Sequence, residues 1–120
     1  MSKKTLVIGA SENPARYSNK AIHKLRFFDH PVVALGSKPG KVDDVIIETE
    51  HKAFEGIDTV TIYLNAQNQK SLEEYILSLK PNRIIFNPGA ENPEFKYRAE
   101  KLNIECEEAC TLVMLTVGGY

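Results

Sequence analysis

The chain has 120 residues, 42% of them hydrophobic and 26% charged, which excludes a disordered or collagen-like polymer and leaves room for one cored domain. Lys and Arg number 15 against 16 Asp and Glu, a formal net charge of -1. That balance argues against a general nucleic-acid surface, which needs a surplus of cations. No apolar run is long enough to cross a membrane, and the short apolar N-terminal run does not make a secretory leader. Two cysteines, Cys106 and Cys110, are too few for a disulfide framework, so a cytoplasmic protein with reduced thiols is expected.

In chain order, Thr5-Leu6-Val7-Ile8 is a continuous apolar run stopped by Gly9, which reads as a strand buried on both faces. The turn formers from Gly9 to Tyr17 lead to Ser18 as a helix cap, and Ile22, Leu25 and Phe28 fall at helical spacing, giving a helix over 19–28. Residues 31–35 read as a second strand, residues 36–40 as a loop, and Val45-Ile46-Ile47 as a short strand. Residues 59–64 form a strong strand, followed by Asn65 as cap of a helix with a Leu72, Ile76, Leu79 stripe that Pro81 ends. Residues 83–86 are a strand, and Phe95, Ala99 and Leu102 mark the next helix. Residues 104–107 suit a short edge strand, and residues 111–117 suit helix or strand. Strands alternating with helices predict an α/β fold, a single Rossmann-like domain over residues 1–120. Its sheet is open and mainly parallel, with helices on both faces.

Such sheets bind ligands beyond the carboxyl ends of their strands, which selects the loops that matter. The first runs from Gly9 through Ala10, Ser11, Asn13, Arg16 and Tyr17 to Ser18. Gly9 and its small neighbours allow a phosphate to approach backbone N–H groups at a helix start, and Arg16 offers a bidentate fork. The dinucleotide fingerprint G-x-G-x-x-G is absent. A bare βα turn remains the alternative.

The second loop, Gly36-Ser37-Lys38, lacks the carboxylate that holds an NAD ribose diol. Lys38 reads either as a solvated surface lysine or as a partner for a phosphate on the ribose. The second reading points to coenzyme A or to NADP. Asn65 reads as a cap or a ligand contact, Asn87-Pro88-Gly89 as a tight turn or part of a site, and Cys110 as a small hydrophobe or a thiol near a ligand. His23, His30 and His51 have no nucleophile pattern around them and read as structural or surface residues. No metal set and no catalytic constellation is recognised, which favours a binding role over catalysis.

Taken together, Gly9-Ala10-Ser11-Glu12-Asn13-Pro14, Arg16-Tyr17-Ser18, Thr61-Ile62-Tyr63-Leu64-Asn65, Ile85-Phe86-Asn87-Pro88-Gly89 and Glu108-Ala109-Cys110 resemble the small stand-alone CoA-binding domain proteins. These are relatives of the CoA-binding domain of the succinyl-CoA synthetase alpha subunit. The resemblance implies a Rossmann-type fold holding coenzyme A or acyl-CoA across the strand ends. It implies that Gly9, Ala10 and Ser11 lie against the pyrophosphate, with Arg16 and Ser18 assisting, and that Lys38 sits near the adenosine phosphate. Asn65 is implied near the nucleotide or pantetheine, and Asn87, Pro88, Gly89 and Cys110 at the pantetheine end. The chain carries no segment like the phosphohistidine domain of the larger enzyme, so the resemblance implies binding, as a regulatory or carrier module, rather than a ligase reaction. An NADP-binding oxidoreductase-like protein is the alternative, and a protein-interaction domain a third reading.

Overall fold

The computed structural model describes residues 2–120. The strands are β1 (Thr5–Ile8), β2 (Val32–Leu35), β3 (Gly40–Val42), β4 (Val45–Glu48), β5 (Thr59–Ile62), β6 (Arg83–Phe86) and β7 (Glu105–Glu108). They form one 7-stranded sheet in the order β3-β4-β2-β1-β5-β6-β7. Every neighbouring pair runs parallel except β3 with β4, which form an antiparallel hairpin at one edge. The helices are α1 (Tyr17–Phe27), α2 (Ala66–Gln69), α3 (Glu73–Ser78), α4 (Pro93–Lys101) and α5 (Thr111–Val117). The expected Rossmann-like α/β architecture is therefore present.

The two-residue period of a strand sends alternate side chains to opposite faces, and each face finds its own helices. Leu6, Ile8, Val60, Ile62, Ile84 and Phe86 meet Leu72, Ile76, Phe95 and Ala99 on the α3/α4 side. Val7, Ala34 and Ile47 meet Ile22, Leu25 and Leu115 on the α1/α5 side. Burying both faces explains why β1, β5 and β6 are buried at every position.

Several boundaries differ from the sequence reading. Helix α1 starts at Tyr17, and Arg16 rather than Ser18 holds the cap position, with no side-chain cap hydrogen bond. Ser18 and Asn19 are buried in the first turn instead, where Asn19 Nδ2 donates to the Ser11 carbonyl at 2.9 Å. That bond ties the loop after β1 to the first turn of the helix. The expected loop at 36–40 ends in a strand, β3, of whose residues Gly40 and Lys41 disfavour strands and only Val42 favours one. β3 forms because the chain reverses through Asp43, at φ 54°, and pairs with β4. The single helix expected after Asn65 is three pieces, α2, a 3₁₀ turn over Lys70–Leu72, and α3. Leu102 is 59% exposed at the end of α4 instead of inside its apolar face. Residues 111–117 resolve to a helix.

Candidate functional site

The chain leaves β1 toward β2 on one side and returns to β5 on the other, so β1 marks the switch in strand order. Beyond the carboxyl ends of β1, β2 and β5 lies a cleft of about 650 Å³. Gly9, Ala10, Ser11, Glu12, Asn13 and Arg16 line it from the first loop, and Gly36, Ser37 and Lys38 from the second.

The walls of the cleft are set by close backbone approach. A Cβ on Gly36 would stand 2.5 Å from the Ala10 carbonyl oxygen and 2.9 Å from Ile47 Cγ2, so only glycine lets the β1 and β2 loops meet there. Gly9 holds a φ of +89°, and the amides of Gly9 and Ala10 both donate to the Leu35 carbonyl at 3.0 Å. Those two N–H groups are consumed in joining the loops. The amides of Ser11 and Glu12 have no backbone partner among the described residues. The Ser11 hydroxyl accepts from the Asn13 amide at 3.1 Å, and Asn13 Oδ1 accepts from the Ala15 amide at 3.0 Å, which shapes the turn into α1. Glu12 lines the cleft too, its carboxylate accepting from the Lys41 amide at 2.9 Å.

Arg16 and Lys38 are exposed, and neither enters an ion pair among the described residues. With the uncapped start of α1 they bring two positive side chains and a helix N-terminus to the cleft, where the Glu12 carboxylate is the one acidic lining group among the described residues. The arrangement suits an anion with several oxygens.

The remaining sequence candidates stand outside this lining. Tyr17 is 68% exposed on α1 and Ser18 is 3% exposed within it. Asn65 caps α2, its side chain accepting from the Asn68 amide at 2.9 Å. Asn87 is 2% exposed and fully engaged. Its Nδ2 donates to Thr61 Oγ1 at 2.7 Å and to the Ile62 carbonyl at 2.9 Å, and its Oδ1 accepts from the Thr111 amide at 2.9 Å. It braces β5, β6 and the start of α5 against one another. Pro88 and Gly89 are exposed in the turn after β6, where Gly89 has φ +92°. Cys110 is half-buried at the N-cap of α5. Burial pushes the other thiol, Cys106, up to about 11, with Glu100 adding to the effect, so it stays protonated and unreactive at neutral pH.

Sequence reasoning passed over Thr49, His51, Tyr63, Ser71 and Leu72, which also line the cleft. Tyr63 stood in the sequence as the end of a strand and within one of the segments that carry the resemblance, with no role assigned to it. Its hydroxyl is buried beside Thr61 and Thr111, whose hydroxyls bond each other at 2.8 Å, and burial raises its ionisation far above the ordinary phenol value. It therefore remains a neutral hydroxyl. No helix is long and apolar enough to cross a membrane, and no cluster of His, Cys, Asp or Glu suited to a metal occurs among the described residues.

A mainly parallel sheet with a glycine-walled cleft at its switch point defines a Rossmann-like class of α/β domain. Residues 3–116 match the family described as CoA binding domain, and the chain belongs to that family. Among solved structures it is similar to an uncharacterized protein at 45% identity, with a TM-score of 0.98, covering 100% of this chain and 99% of that one. A Thermus thermophilus protein, cell-free ID.343, shares the fold at 17% identity and a TM-score of 0.85, covering 99% and 91%. A hypothetical protein from Pyrococcus horikoshii OT3 does so at 18% identity and 0.83, covering 93% and 80%. Comparison with the curated proteins returned no match.

Proposed function

We propose that the cleft binds coenzyme A or an acyl-CoA, as a non-catalytic or regulatory module. The observation that carries this reading is the pairing of two open cations, Arg16 and Lys38, across a cleft in a chain of the CoA binding domain family. The pyrophosphate lies along Gly9, Ala10 and Ser11, taking the spare amides of Ser11 and Glu12 and the first turn of α1 at Tyr17 and Ser18. Arg16 closes on it from the side. Lys38 takes the 3′-phosphate, since Gly36-Ser37-Lys38 presents a cation where a diol-binding carboxylate would otherwise stand. Asn13 and Ser37 supply polar contacts. The pantetheine arm leaves the cleft along the same sheet edge, past Asn65 and toward Pro88, Gly89 and Cys110, with Asn87 holding that loop in place.

Lys38 suits the 2′-phosphate of NADP equally well, so NADP is the second reading. Thermal unfolding with coenzyme A, dephospho-CoA and NADP at equal concentration separates the two. A ligand at a hundred times its dissociation constant adds about 2.7 kcal/mol of stability. The proposal expects a large shift with coenzyme A, a smaller one with dephospho-CoA and none with NADP. A shift with NADP alone would replace it with the oxidoreductase-like reading, and no shift with any of the three would remove nucleotide binding.

A further inference from the structure

His51 reads from the sequence as a surface residue, yet its ring lines the cleft. It is stacked on Tyr75 with ring centroids 4.8 Å apart and planes 25° from parallel. The Tyr75 ring is itself fixed: it packs against the α3/α4 core, and its hydroxyl donates to the Lys52 carbonyl at 2.6 Å. The Lys52 ammonium is held by Glu48 at 3.0 Å, so the segment after β4 is anchored at both sides of the imidazole. The result is a flat ring with a rigid backing, standing in a polar cleft.

Its place in the sheet is specific. β2 and β4 are parallel neighbours with Leu35 opposite Glu48. Lys38 is the third residue beyond Leu35, and His51 is the third beyond Glu48. A cation and an aromatic face thus follow the ends of two neighbouring strands and line one cleft. A phosphate on a ribose and the base on that same ribose need such a pair, because they are joined through one five-membered ring. Bases stack on aromatic faces with little dependence on sequence or hydrogen bonding.

We infer that the imidazole of His51, backed by Tyr75, is the seat of the adenine ring, so that the cleft selects ligands carrying a stacked base next to a ribose phosphate. This rests on the coenzyme A reading and adds the residue that would recognise the base. His51 acts here by contact with the ligand, and Tyr75 is a positioning residue.

The test is calorimetric titration of coenzyme A, 3′,5′-ADP and 4′-phosphopantetheine into the wild-type chain, His51→Ala and His51→Phe. His51→Ala is expected to weaken coenzyme A and 3′,5′-ADP by about tenfold and leave 4′-phosphopantetheine unchanged. His51→Phe keeps a flat ring and is expected to retain most of the affinity. Tyr75→Ala is expected to weaken the same two ligands by less. A proton NMR spectrum supplies a second readout: 3′,5′-ADP should move the His51 ring protons upfield through the base ring current, and 4′-phosphopantetheine should not. Unchanged nucleotide affinity in His51→Ala, or an equal loss for all three ligands, would overturn the assignment while coenzyme A binding stood. A wild-type chain that bound none of the three would overturn the coenzyme A reading and this inference with it.

Discussion

The two ends of the sheet treat their cations in opposite ways. At the amino end of β6, Arg83 is 7% exposed and spends itself inside the protein. Its Nε donates to Thr59 Oγ1 at 3.1 Å, and one terminal nitrogen donates to the Tyr120 carbonyl at 2.9 Å and lies 3.4 Å from Glu107. The guanidinium also sits 4.5 Å from the centroid of the Tyr120 ring. Lys3 joins it, its ammonium donating to the same carbonyl at 2.5 Å. At the carboxyl end, Arg16 and Lys38 have no such partners and face an open cleft. The difference separates two roles. Where internal groups engage a buried cation, as they do Arg83 through Nε and one terminal nitrogen while the other is buried without a partner among the described residues, it holds the fold. Where the protein holds a cation at a cleft and leaves it open, it is available to a ligand.

The sharpest way to break that contrast is to exchange the effects of substitution at the two ends. Arg83→Ala is expected to destabilise the chain by about 3 kcal/mol in chemical denaturation, because Thr59, Glu107 and the Tyr120 carbonyl lose a buried partner. Its coenzyme A affinity, corrected for folding, should match wild type. An Arg83→Ala chain of normal stability would show that burial alone does not mark a structural cation.

Arg16→Ala and Lys38→Ala should do the reverse. Neither should move stability by more than about 0.5 kcal/mol. Each should weaken coenzyme A by about tenfold, the size expected for one charge-assisted contact in a partly solvated site. The loss should shrink as salt is raised, since both side chains are exposed. Titration at two ionic strengths checks both statements.

His30 gives a pH test of the amino end. Its Nδ1 accepts from the Lys3 amide at 2.9 Å, which requires the unprotonated nitrogen. Burial, then the nearby charges of Lys3 and Arg83, lowers its pKa from the ordinary 6.5. A depressed histidine pKa means the unfolded chain takes up the proton more readily. The stability it supports is therefore complete above about pH 6.5 and is lost as the pH falls through the lowered folded value. The unfolding midpoint should decline with acid over that window, and His30→Gln, which retains an acceptor, should flatten the decline. An unchanged slope in the variant would assign the acid sensitivity elsewhere.

Asn65→Ala offers the smallest effect. Removing a helix cap costs about 1 kcal/mol. If Asn65 only caps α2, denaturation detects the whole change. If it also meets the pantetheine arm, coenzyme A affinity falls beyond what stability explains.

Much of this was legible in the chain itself. The aliphatic runs at 5–8, 59–62 and 83–86 are strands because their side chains have no polar face to offer water, and a parallel sheet is the fold that buries both sides. Asn65 announced a helix start because its short polar side chain reaches the amide three residues on. Gly9 and Gly36 marked the strand ends that became the cleft.

What local sequence could not decide depended on distant partners. β3 exists because β4 is beside it, not because Gly-Lys-Val favours a strand. Ser18 lies inside the first turn rather than at the cap, in a helix that starts at Tyr17 and is tied to the Ser11 carbonyl through Asn19. Asn87 has the composition of a turn residue, and only the packing of β5 and α5 around it makes it a brace. His51 is one histidine in a weakly patterned segment until α3 places Tyr75 behind it and β2 places Lys38 on the neighbouring strand end. Composition and period are local properties and marked most of the elements, though not β3 or the break between α2 and α3. The cleft is made of residues far apart in the chain, so its membership was set only when the sheet brought the strand ends together.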